Sequence, residues 1–133
     1  MHEFIVKTSS RNEFVDITDR VRALVQESEV EAGLCTVYCP HTTAAITINE
    51  NADPDVTEDI LRKLSTLIPT RENYRHIEGN SDAHIKSSLV GNSAQIIIHN
   101  GSLRLGTWQG VYFCEFDGPR TRKVWVSLIK TDR

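Results

Sequence analysis

A chain of 133 residues with 39% apolar and 25% charged side chains is of ordinary single-domain size and sits far from the low-hydrophobicity regime of disordered proteins. The formal net charge is −3, with acidic and basic residues interspersed, which excludes the clustered basic footprint expected of a nucleic-acid binder. Apolar runs such as Ile96-Ile97-Ile98 are too short for a membrane span, and MHEFIVKTSS carries no signal-peptide core, so a cytoplasmic protein without nucleic-acid or membrane partners is expected.

Phe4-Ile5-Val6 and Phe14-Val15 read as opening strands. Thr18 is placed to cap a helix to about Glu29 with Val21, Leu24 and Val25 inward, after which Gly33 ends the region. Leu34 to Tyr38 is the next strand. After Pro40 the segment TTAAITINE alternates, with Ala44, Ile46 and Ile48 on one face and Thr43, Thr47 and Asn49 on the other. Asp53-Pro54 starts a second helix, because Asp accepts from unpaired amides and Pro suits the first helical position; Val56, Ile60, Leu61, Leu64 and Leu67 form its inner stripe, and Pro69 stops it.

Thr70 to Ser81 is a polar loop long enough to carry function. Ser81 or Asp82 can cap a third, short helix with Ile85 and Leu89 facing the core and Gly91 closing it, which leaves His84, Ser87 and Ser88 on another side. Ala94 to His99 and Ser102 to Leu105 form a hairpin about Asn100-Gly101, a pair that accepts positive φ. Thr107 to Phe116 and Lys123 to Ile129, joined across Asp117-Gly118-Pro119, complete the strands. The expected fold is a single α+β domain of seven to eight largely antiparallel strands, sandwich-like, with two to three helices. Cys35, Cys39 and Cys114 are odd in number and lack zinc-knuckle spacing, so free core thiols are expected.

Some polar residues are not needed for folding. His41 opens the hydroxyl run His41-Thr42-Thr43, His76 lies in the long loop and His84 near the short helix start. Three imidazoles on three segments can converge as metal-ligand or acid–base groups, or each can hydrogen-bond locally. Asp53, Asp55, Glu58 and Asp59 suit a helix start electrostatically, whereas Asn49 and Glu50 precede it and are left over. Trp108-Gln109 suits packing, a stacking platform or an interface anchor, and Arg120 and Arg122 flank the last turn, where they are solvated or fork onto a phosphate. One polar small-molecule site around His41, Asn49 and His84 is expected. Neither a phosphate loop nor a nucleophile elbow is present.

The segments CPHTTAAITINENADPDV at 39–56, NSDAHIKSSLVG at 80–91 and GSLRLGTWQGVYFCEFDGPRTRKV at 101–124 resemble the YjbQ-like family, often labelled secondary thiamine-phosphate synthases. The resemblance implies an α+β fold rich in β-structure, a homotrimer with sites near subunit contacts, and a bound divalent metal in some members. It also implies an activity: joining an aminopyrimidine methyl diphosphate to a thiazole phosphate with release of pyrophosphate. That chemistry needs charge to be taken up from the leaving pyrophosphate and a dry pocket for the cationic carbon. The candidate catalytic residues are then Glu50, Asp59 and Asn49. Thr42, Thr43, Lys86, Ser87, Trp108, Gln109, Arg120 and Arg122 are candidates for substrate binding. His41, His76 and His84 are the candidate metal ligands, a set that suits zinc, whereas magnesium prefers oxygen and would accompany the diphosphate. The alternative function is a non-catalytic trimer that binds a metal or small ligand.

Overall fold

A computed structural model describes residues 1–131. In chain order the elements are β1 (His2–Lys7), β2 (Glu13–Asp16), α1 (Thr18–Ser28), β3 (Ala32–Tyr38), β4 (Ala44–Glu50), α2 (Pro54–Leu67), α3 (Ser81–Val90), β5 (Ser93–His99), β6 (Ser102–Leu103), β7 (Gln109–Glu115) and β8 (Thr121–Lys130). They build a single α+β domain from two antiparallel sheets, one of five strands ordered β1-β8-β3-β5-β6 and one of three ordered β2-β7-β4. The hairpin turn at Asn100 and Gly101 has φ of 51° and 76°, the positive values that an Asn-Gly pair accommodates.

The alternation of β4 has a physical counterpart on both faces. Ala44 and Ile46 join Cys35, Val37, Phe113, Val124 and Val126 in the main core, with Val21 and Val25 of α1 in the same cluster. On the opposite face Ala45, Tyr112 and Cys114 pack with Ala83 of α3 and with Leu61 and Leu64 of α2. The small sheet is therefore covered on both sides, and Gly110 to Glu115 are all buried. All three cysteines are buried and free, and burial pushes the thiols of Cys35 and Cys39 up to about 11.

Three local expectations are corrected. Thr18 is not the cap of α1: the Asp16 carboxylate accepts from both the Thr18 amide and its hydroxyl. In α2 the Asp53 cap and Pro54 are as expected, with the Asp55 amide donating to Asp53 at 2.9 Å, but none of the apolar stripe is fully buried and Leu67 is exposed.

The third correction is the largest. In α3, Ile85 and Leu89 face outward and the helix buries Asp82 and Lys86 instead. Lys86 Nζ donates to Asp82 at 3.3 Å and to Asn12 at 3.2 Å, while Arg11 reaches Asp82 at 3.2 Å. A buried charge is tolerable only when paired, and Arg11 and Asn12 supply those partners from the β1–β2 connection. Ionic docking has replaced apolar docking and sets which side of α3 turns outward.

Candidate functional site

The turned helix exposes a polar stripe at helical spacing. His84, Ser87, Ser88 and Gly91 line one wall of a cleft of about 520 Å³, and His41 and Thr42 line it from the β3–β4 connection, with Asn92 alongside. No carboxylate is among them. Ser87 Oγ donates to the Ala44 carbonyl at 2.6 Å and pins α3 to β4, while Ser88 Oγ donates to the His84 carbonyl.

His41 is fixed by the sheet. The β3–β8 pairing ends at Tyr38–Trp125, and beyond it the Lys123 amide donates to His41 Nε2 at 2.9 Å. Burial and the nearby Arg122 guanidinium hold its pKa below the usual imidazole value. His84 borders a second hollow of about 300 Å³ with His76, Ser81 and Ile85. The His76 and His84 rings meet edge to face at 5.4 Å, and His76 Nδ1 lies 2.7 Å from Ser81 Oγ. Tyr38 and Trp125 stack at 5.9 Å beside a further hollow that shares His41, Thr42 and Asn92 with the cleft.

A metal does not fit the three histidines of one chain as they stand. A neutral imidazole whose Nε2 accepts from an amide keeps its proton on Nδ1 and has no free lone pair to give. Among the described residues no group of three His, Cys, Asp or Glu side chains is placed to hold an ion.

Of the residues singled out in the sequence, His41, Thr42, His84 and Ser87 come together in the cleft, and His76 reaches it only through His84. Asn49 and Glu50 sit at the other end of β4, about 20 Å from Thr43 along the strand. Asn49 Oδ1 accepts from the Glu50 amide and Glu50 from the Asp53 amide. Gln109 pairs opposite Glu50, so exposed Trp108 belongs to that far end, where the Gly106 amide donates to Gln109. Asp59 is surface-exposed and ion-paired with Arg62 at 2.6 Å.

The expected phosphate-binding cations are largely committed elsewhere. Lys86 is buried on Asp82, and Arg120 is tied to Asp117 through its carboxylate at 3.0 Å and its carbonyl at 2.8 Å. Arg122 is buried against Glu115, with Nε 2.9 Å from Oε1 and Nη2 donating to Oε2, and Thr43 Oγ1 accepts from the same guanidinium. Sequence reasoning missed this pair, along with Asn92 and the Lys123 amide. Its signal was Glu115 standing inside the apolar run VYFCEF, where a charge demands a buried partner.

Comparison with known proteins places the whole chain. The family model described as UPF0047 protein YjbQ-like matches residues 2–131. UPF0047 protein YugU of Bacillus subtilis is 55% identical over 125 residues, covering 93% of this chain and 95% of the relative. A UPF0047 protein of Methanocaldococcus jannaschii is 56% identical over 129 residues, covering 97% and 94%. The crystal structure of a YjbQ/UPF0047-family protein from Clostridium acetobutylicum, 60% identical, superposes with a TM-score of 0.96 over 97% of this chain and 100% of that one. With residues 2–131 matched by the family model and both sheets lying within them, the chain belongs to the YjbQ-like UPF0047 family.

Proposed function

We propose that the His41–His84 cleft binds a phosphorylated small molecule and that the chain acts as a thiamine-phosphate synthase-like transferase. The observation that carries this reading is a carboxylate-free cleft lined by imidazoles, hydroxyls and an amide, a composition suited to oxyanions. In the proposed reaction the bond from the methylene carbon to the diphosphate oxygen breaks and its electron pair leaves with pyrophosphate. The thiazole nitrogen lone pair then forms the new carbon–nitrogen bond. The stacked Tyr38–Trp125 pair next to the cleft supports room for a planar ring beside the diphosphate.

The separation of Asn49, Glu50 and Trp108 from the cleft favours an assembly in which a neighbouring copy supplies that end. Exposed Trp108 and exposed Leu67 at the end of α2 support the homotrimer that the family resemblance implies. The same separation leaves the cleft without a carboxylate acid or base, which favours a non-catalytic ligand-binding trimer as the second reading.

The test is pyrophosphate release by the purified protein given an aminopyrimidine methyl diphosphate and a thiazole phosphate, with light scattering on the same sample. Turnover from a trimer, lost in His84→Ala, is expected. Tight diphosphate binding without turnover leaves the second reading, and a monodisperse monomer refutes the assembly.

A further inference from the structure

We infer that His41 is held as a neutral imidazole that presents Nδ1–H to an oxyanion of the ligand, with no metal between them. The inference rests on the phosphorylated-ligand reading of the cleft and specifies its recognition chemistry. A backbone amide can only donate, so the 2.9 Å contact from the Lys123 amide makes His41 Nε2 an acceptor. The proton of the neutral ring is thereby assigned to Nδ1, and the nitrogen not used by the sheet is a donor.

The position of this contact explains why the tautomer is enforced. Lys123 lies where β8 has outrun β3, pairing with Ile5 of β1 on one side only. On the β3 side its amide meets the imidazole in place of a strand carbonyl, and that contact requires an unprotonated Nε2. The ligand-facing groups nearby are of matching kind. Thr42 carries a hydroxyl, Asn92 carries an amide, and no carboxylate lines the cleft to repel an anion or to claim the Nδ1 proton. Glu115, the carboxylate nearest in charge influence to His41, is buried and already satisfied by Arg122, Thr8 and the Asp117 amide.

Nitrogen-15 NMR of the histidine rings in the full chain, with EDTA present, reads the tautomer directly, and titration with inorganic pyrophosphate reads the contact. A protonated Nδ1 and unprotonated Nε2 at His41, with Nδ1 shifting on addition of pyrophosphate, is the expected result. Two variants separate the ring's duties: His41→Gln can still accept from the Lys123 amide but has no donor at Nδ1, whereas His41→Asn keeps a donor near Nδ1 and loses the acceptor. Pyrophosphate affinity should fall at least tenfold in His41→Gln with melting little changed, and His41→Asn should melt lower while binding better than His41→Gln. An Nε2–H tautomer in protein that binds pyrophosphate, stoichiometric zinc on His41 in protein prepared and measured without EDTA, or wild-type affinity in His41→Gln overturns this inference alone. Failure of pyrophosphate to bind wild type with the Nδ1–H tautomer in place refutes the phosphorylated-ligand reading, and the donor role falls with it.

Discussion

Replacing Glu115 with Gln tests whether Arg122 is a structural cation or a ligand-binding one. Glu115 is fully buried and Arg122 is 5% exposed. The carboxylate accepts from Arg122 Nε at 2.9 Å, from Thr8 Oγ1 at 2.7 Å and from the Asp117 amide at 3.0 Å, besides the second guanidinium contact. Gln preserves shape but strands a buried guanidinium without its counter-charge, a loss of about 3–5 kcal/mol. For a chain of this length that corresponds to a melting temperature lower by roughly 10–20 °C. Burial alone would raise the Glu115 carboxyl, but Arg122, Thr8 and the Asp117 amide hold it below the ordinary carboxylate range. A depressed folded-state pKa gives stability that is present above the unfolded value and lost as pH falls through the folded value. The gap between wild type and Glu115→Gln should therefore be full at neutral pH and close in acid. Calorimetric melts across pH measure both effects, and the double variant Glu115→Leu with Arg122→Met should recover part of the loss, the Thr8 hydroxyl and the Asp117 amide being left without their acceptor. If Glu115→Gln melts within about 3 °C of wild type at neutral pH, a shift worth under about 1 kcal/mol, while pyrophosphate binding is lost, Arg122 serves ligand rather than fold.

His84→Ala should change unfolding free energy by no more than about 0.5 kcal/mol, because the half-exposed ring contacts His76 only at its edge. Pyrophosphate affinity measured calorimetrically should nevertheless fall at least tenfold. Gly33→Ala places a Cβ 1.9 Å from the Ile129 carbonyl oxygen, so β8 must shift, and urea denaturation should show about 1–3 kcal/mol lost. The thiols of Cys35 and Cys39, raised by burial from 9.0 to about 11, stay protonated in the fold while unfolded thiols ionise. Stability is complete below pH 9 and should decline by about 2 kcal/mol per thiol by pH 11. The double alanine variant, followed by thermal melts in that range, should show a flatter alkaline slope.

The sequence by itself determined what depends on near neighbours. The Asp53-Pro54 helix start, the Asn100-Gly101 turn and the alternation of Ala44, Ile46 and Ile48 were legible because capping, turn geometry and strand pleat act within a few residues. That His41, Thr42, His84 and Ser87 line one cleft was expected from the family resemblance rather than from spacing, because segments far apart in the chain share no local pattern. Only the tertiary structure decided how α3 is turned: Asp82 and Lys86 go inward because Arg11 and Asn12, more than 70 residues away in the chain, neutralise them there. It likewise separated Asn49 and Glu50 from His41, because an extended strand carries its two ends about 20 Å apart. The pairing of Arg122 with Glu115 was hidden for the same kind of reason, since the two meet only after β7 and β8 have taken their places in different sheets. Partners that neutralise a charge or claim a lone pair are set by packing across the fold, and local pattern carries no record of them.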